Sequence, residues 1–231
     1  MRGNSSDKCH AIGIDEAGRG SLVGEMIVAA IAIPAGLSYT LREMGVRDSK
    51  VLTPGKRAKL YRELSRFPFA TVPVRPAEID RENLNVLTAR AAARAFEIVS
   101  SRIGGPEHVC RVIVDKFGNP SKLIAYLRLA GYRGPIIAEE KADARYPEVS
   151  AASIIAKHVR DARIRVLHAL YGVEGSGYPS DPRTLRWLRR SLASGSLPPV
   201  VRRSWDTLRG TPFYVDKKRG GGGSVTLEDF F

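Results

Sequence analysis

Cysteine and histidine are scarce in this chain, and that scarcity narrows its chemistry. Cys9 and Cys110, with His10, His108, His158 and His168, are the whole supply of thiol and imidazole ligands. They are scattered without the close pairing that zinc sites use, which argues against zinc chemistry. The cysteines are expected as two small buried thiols, with one disulfide left open. No apolar run approaches the roughly 20 residues needed to span a bilayer, and no basic amphipathic helix with an aromatic face stands out, so no membrane partner is expected. The polar start, Met1 to Asp7, has no signal-peptide apolar region, and a cytoplasmic protein is expected. A P-loop is missing because no Gly-Lys-Ser/Thr sequence occurs. Acids are also in short supply: 24 Asp and Glu against 37 Lys and Arg give a formal net charge of +13. With a sequence pI near 10.1, the chain is suited to a polyanionic partner such as nucleic acid.

What is present is a globular composition, 43% hydrophobic over 231 residues, enough for one sizeable core with an appendage. Periodicity predicts an α/β fold, a mixed sheet flanked by helices, with a C-terminal helical extension. Strands are expected at residues 11–15, 24–33, 69–74, 109–115 and 136–138. Helices are expected from Thr53-Pro54 through Leu64, at 85–99, at 121–129 and from Pro147 to about Leu170. Three regions follow: 1–171 as the catalytic domain, 172–215 as a helical substrate-binding extension and 216–231 as a tail. In the extension, Ser180-Asp181-Pro182 starts a helix on which Leu185, Leu188 and Leu192 share one face. Arg183, Arg186 and Arg190 share another, suited to phosphate contact. Gly220–Gly223 reads as a linker.

The most informative stretch is Gly13-Ile14-Asp15-Glu16-Ala17-Gly18-Arg19-Gly20. Side chains alternate along a strand, so Asp15 and Glu16 share a site only if Asp15 ends the strand and the chain bends at once. Gly18 and Gly20 permit that bend. Adjacent carboxylates without a basic partner suit a hard divalent cation, magnesium or manganese. Asp115 stands at another strand end, and the run Glu139-Glu140-Lys141-Ala142-Asp143 adds more acids. Carboxylates converging from separate strand ends can hold two metal ions for phosphodiester hydrolysis. From chemistry alone, Glu139, Glu140 and Glu148 compete with Asp143 for the last place.

At this point the chain resembles a known family. Gly13–Gly20, Asp48-Ser49-Lys50, Val114-Asp115, Lys141–Pro147, Ser150–Lys157 and Gly175–Pro182 are similar, in family order, to the motifs of ribonuclease HII of the archaeal type. The resemblance runs from about residue 11 to about residue 206. It implies an RNase H-like fold and hydrolysis of the RNA strand of RNA–DNA hybrids. It also implies cutting on the 5′ side of ribonucleotides embedded in duplex DNA, leaving a 3′-hydroxyl and a 5′-phosphate. It implies that Asp15, Glu16, Asp115 and Asp143 are the metal-binding acids, with Asp15 bridging two Mg2+ or Mn2+ ions. Asp143 would help hold the ion that activates water, and Glu16 and Asp115 the other. Gly18-Arg19-Gly20 matches the loop that senses the ribose 2′-hydroxyl through backbone groups. Tyr178 matches the tyrosine that packs on the neighbouring deoxyribose, and Lys50 is expected to contact a phosphate. Ser224–Phe231 resembles a clamp-binding peptide, with Leu227, Phe230 and Phe231 at its apolar positions. A replication sliding clamp is therefore an expected partner, and the enzyme is expected as a monomer. A catalytically dead clamp adaptor and a junction nuclease on the same scaffold are the competing readings. The four acids argue against the first, and Gly18-Arg19-Gly20 with Tyr178 against the second.

Overall fold

In a computed structural model of the chain, residues 9–46 and 52–216 are described. Lys50, Leu227, Phe230 and Phe231 lie outside the described residues. The centre is one five-stranded mixed sheet of β1 (His10–Ala17), β2 (Met26–Pro34), β3 (Phe69–Val74), β4 (Val109–Asp115) and β5 (Ile136–Glu139), in the order β3-β2-β1-β4-β5. The first three strands pair antiparallel as a meander, and β4 and β5 join β1 in parallel.

Alternation along β2 explains the two layers. Met26, Val28, Ala30 and Ala32 face α4 (Leu84–Ser101) and α5 (Ser121–Leu129), in a core completed by Phe96, Leu123 and Tyr126. Ile27, Ala29, Ile31 and Ile33 face the other way, onto α7 (Pro147–Tyr171) and α2 (Pro54–Leu64). A strand buried on both faces reads as a continuous apolar run, which is why β2 is visible in sequence. The α2 start is also as expected, with Thr53 accepting the Lys56 amide at its cap and Pro54 in the first turn. Short helices escape the periodicity argument: α1 (Ser38–Glu43), α3 (Pro76–Arg81) and α6 (Ala142–Arg145) each span fewer than two turns.

The α7 helix lies directly along β1, and Gly13 makes the approach possible. A Cβ there would stand 2.1 Å from the Glu148 carbonyl oxygen. Beyond Tyr171 the chain turns at Gly172 in the left-handed region and builds a third apolar cluster. Trp187 and Leu188 of α8 (Pro182–Ala193) pack there with Leu22, Val23, Leu197 and Val201. A bridge between Val23 and Val201 and a hydrogen bond from the Arg202 amide to the Leu22 carbonyl fasten this segment to the loop after β1. As expected, Leu185 and Leu192 pack inward, and Arg183, Arg186 and Arg190 are exposed.

Two expectations are corrected. The strand does not end at Asp15: β1 continues to Ala17, pairing Asp15 with Ala29 and Glu16 with Val28. Only its parallel pairing to β4 stops, at Ile14 with Val114. Nor are the cysteines buried, for Cys9 and Cys110 are both partly exposed free thiols near the start of their strands. Among the described residues no helix is long and apolar enough to cross a membrane.

Candidate active site

Asp15 occupies the position where β1 parts from β4, and that parting replaces the predicted bend. Its carboxylate is 4% exposed and accepts the amide of Glu16 at 2.7 Å. Ser153, on the facing side of α7, also hydrogen-bonds to it. Burial raises the Asp15 pKa well above the usual carboxylate range, and the charges of Glu16 and Asp115 raise it further. The two hydrogen bonds act the other way without cancelling the rise. Glu16 and Asp115 are therefore both within electrostatic reach of Asp15.

Asp115 ends β4 as predicted, in register with Glu139 of β5. Its Oδ1 accepts the amide of Ala142 at 2.8 Å, which brings α6 against the strand end. Lys141, the residue before that helix, has φ 57° and is the single non-glycine with positive φ among the described residues. Holding a lysine in the left-handed region costs about 1–2 kcal/mol. That turn places Asp143, 5% exposed, one residue beyond the amide that binds Asp115. The competing acids are engaged elsewhere. Glu139 binds Arg145 and the Tyr146 hydroxyl, and Glu140 pairs with Lys116. Glu148, buried, accepts from Ser38 and Arg111.

This donor set fits a hard divalent cation, because its ligands are oxygens and its central carboxylate is buried among negative charges. It is not a preassembled cage. Among the described residues no group of three or more His, Cys, Asp or Glu side chains is gathered closely enough to hold a metal ion. Glu16 stands 4.0 Å from the Arg19 guanidinium.

The loop after β1 is held from below by two buried arginines. Arg202, 0% exposed, donates Nη2 to the Gly18 carbonyl at 2.7 Å, Nη1 to the Arg19 carbonyl at 2.8 Å and Nε to the Gly24 carbonyl at 3.0 Å. Burial, and next the positive Arg160, push its pKa down to about 9. We hold it charged at neutral pH, because three carbonyls accept from the protonated guanidinium. Arg160, 1% exposed, packs against Gly18, where a Cβ would lie 2.6 Å from its Nε. It stacks on the Tyr178 ring at 4.4 Å and donates to the Ser176 carbonyl at 2.8 Å. The Gly177 carbonyl in turn accepts the amides of Leu22 and Val23. Thus the loops carrying Gly18-Arg19-Gly20 and Tyr178 form one hydrogen-bonded unit.

Within that unit the two loop glycines differ. Gly18 is buried with φ +86°, so the fold itself demands glycine. Gly20 is exposed, and a Cβ there would meet nothing within 4 Å. The Arg19 side chain turns away from the loop surface to Thr88, at 2.8 Å, and Asn85 on α4, over the Phe117 ring. Burial lowers its pKa, with Glu16 opposing.

Arg202, Arg160 and Ser153 were not singled out from sequence. Ser153 and Arg160 are seven apart on α7 and so share a face, a signal that was available. Arg202 has no local signal, since its partners lie about 180 residues away. A groove of about 480 Å3, lined by Pro76, Ala77, Leu167 and Val200 among others, contains none of the four acids.

The comparisons with known proteins give the family and the fold. The ribonuclease HII family pattern matches residues 12–208. Ribonuclease HII of Aeropyrum pernix is 47% identical over 223 residues, 95% of this chain and 97% of that protein. The crystal structure of ribonuclease H2 from Pyrococcus horikoshii OT3 superposes with a TM-score of 0.76 at 40% identity, covering 87% of this chain and 95% of that one. RNase HII in its solved complex with PCNA from Archaeoglobus fulgidus gives 0.74 at 34% identity, over 95% and 100% of the two chains. With a mixed sheet flanked by helices and a family match across nearly the whole described chain, this protein belongs to the ribonuclease HII family and is a ribonuclease H endonuclease.

Proposed function

We propose that the enzyme hydrolyses the RNA strand of RNA–DNA hybrids and cuts on the 5′ side of ribonucleotides embedded in duplex DNA. The products are a 3′-hydroxyl and a 5′-phosphate, and the role is removal of ribonucleotides and primers during replication and repair. The observation that carries this reading is the placement of Asp15, Glu16 and Asp115 beside a loop locked to Tyr178 through Arg160 and Gly177.

Asp15 would hold both of two divalent ions, Glu16 and Asp115 one of them, and Asp143 the other. Mg2+ or Mn2+ at these oxygens supplies Lewis-acid activation of water and neutralises charge on the scissile phosphate. The protein's own residues do the positioning. Arg202 fixes the carbonyls of Gly18 and Arg19, which sets the direction of the peptide groups between them. The exposed Gly20 leaves its backbone accessible to a ribose 2′-hydroxyl, the one group that separates RNA from DNA at the cut. Tyr178, backed by Arg160, offers a ring to the adjoining deoxyribose. Lys50 and the exposed face of α8, with Arg183, Arg186 and Arg190, contact phosphates.

The direct test is cleavage of a labelled RNA–DNA hybrid with either metal, beside an all-RNA duplex and single-stranded RNA. Cutting of the hybrid alone supports the reading, and equal cutting of the RNA duplex contradicts it.

The tail extends the proposal. Leu227, Phe230 and Phe231 would plug an apolar pocket on a replication sliding clamp, tethering a monomeric enzyme to DNA. The spacing of these residues supports this, as does the PCNA complex of the Archaeoglobus fulgidus relative. Deleting 224–231 should abolish co-elution with the clamp and leave cleavage of short substrates intact.

A further inference from the structure

Cys9 directly precedes β1, and Cys110 is the second residue of the neighbouring strand β4. Between these two strands the register slips: His10 pairs with Val109, but Ala11 pairs with Arg111. Cys110 is the residue left over by that slip. Its Sγ donates to the His10 carbonyl at 3.2 Å, bringing the thiol to the residue adjoining Cys9. The two thiols also interact directly, and both act on the hydroxyl of the buried Tyr132 beside them. Partial burial, followed by the hydrogen bond to Cys110, pushes the Cys9 thiol up to about 11, which slows its attack at neutral pH. Both sulfurs are free, and both residues are partly exposed. Nothing in the proposed cleavage reaction uses them.

We propose that Cys9 and Cys110 are a dithiol modification site that a small-molecule disulfide oxidises to an intramolecular disulfide. One protein thiolate attacks a sulfur of the oxidant, forming a mixed disulfide and releasing one small thiol. The second protein thiolate then attacks the protein-side sulfur, closing the Cys9–Cys110 bond and releasing the second small thiol. Two electrons and two protons pass from the protein to the oxidant, so atoms and charge balance.

The bond would close a loop of about 100 residues, long enough for a large restriction of the unfolded chain. It would join β1 and β4 at the ends opposite to those carrying Asp15 and Asp115. Cys9 lies six positions before Asp15 and Cys110 five before Asp115, about 17–20 Å of strand. The cross-link therefore acts on stability and leaves turnover unchanged.

The test is incubation of the native full chain with an oxidised small-molecule disulfide, followed by intact mass and thermal melting without reductant. The expected product has lost two hydrogens, carries no adduct and no titratable thiol, and melts about 5–15 °C higher, reversibly on adding a thiol reductant. Cys110→Ser and Cys9→Ser should each take up one adduct, show no such rise and cut substrate at the parent rate. Two adducts on one chain, a disulfide-linked dimer, or an oxidised product with an unchanged melting temperature would overturn the proposal.

Discussion

Arg202 reaches across 184 residues of chain to donate Nη2 to the carbonyl of Gly18 at 2.7 Å. That bond joins the C-terminal extension to the loop that follows Asp15 and Glu16, so on the proposed function substrate contact and chemistry share one support. Removing the guanidinium strips the carbonyls of Arg19 and Gly24 of the donor that Arg202 supplies, while that of Gly18 keeps the Ser21 amide and hydroxyl. Arg202→Met should cost about 3 kcal/mol of stability. Arg202→Lys keeps the charge but not the fork, and should fold while losing discrimination between ribonucleotide-bearing and all-DNA duplexes. Urea denaturation and paired cleavage assays measure the two effects; a lysine variant with parental discrimination would contradict the role.

The two loop glycines should separate fold from function. Gly18→Ala forces an L-residue to φ +86° and into the Arg160 side chain, at a cost of at least about 2 kcal/mol. Gly20→Ala meets nothing in the protein, so its stability should change by less than about 0.5 kcal/mol. Its cleavage of ribonucleotide-bearing duplex should nonetheless fall at least tenfold if, as proposed, the 2′-hydroxyl approaches the Gly20 backbone and the methyl group obstructs it. Melting curves beside initial rates decide the point.

Tyr178 and Arg160 form a second separable pair. Tyr178→Ala should weaken cutting at a single ribonucleotide more than it weakens folding. Arg160→Met should do both, since it frees Tyr178 and also unpacks the Gly18 loop. Equal losses of activity and stability in Tyr178→Ala would assign the ring a packing role alone.

The raised Asp15 pKa has a pH signature. A carboxyl whose folded pKa lies above its unfolded value stabilises the fold fully below the unfolded pKa, and that contribution is lost as pH rises through the folded pKa. Metal-free enzyme should therefore melt lower at pH 8 than at pH 5. Magnesium should raise the melting temperature, and more at pH 8 than at pH 5, because it binds the ionised site. Asp15→Asn should flatten the metal-free slope and blunt the metal effect. A metal-free melting temperature that rises between pH 5 and pH 8, or one that falls as steeply in the variant as in the parent, would contradict the assignment.

Local signals made much of the fold legible. The doubly buried β2 stands out as an unbroken apolar run, the Thr53-Pro54 cap marks α2, and Asp115 closes β4 as predicted. The geometry at Asp15 was misjudged for a physical reason. Sequence shows where a strand begins to turn but not where one of its two neighbours leaves it, and β1 loses β4 while keeping β2. From chemistry alone Asp143 could not be told from Glu139, Glu140 and Glu148, and the partners that occupy those three side chains are set by the fold and not by local sequence. Arg202 illustrates what no local pattern carries: its role depends on carbonyls that long-range folding brings to it.

The most direct test of the central claim is incubation of a DNA duplex bearing one ribonucleotide with the enzyme and magnesium or manganese, beside an all-DNA duplex and the Asp15→Asn variant. The account predicts metal-dependent cutting on the 5′ side of the ribonucleotide, with a 3′-hydroxyl and a 5′-phosphate, absent on all-DNA and lost in the variant. Binding without cutting under either metal, or undiminished cutting by Asp15→Asn, would contradict it.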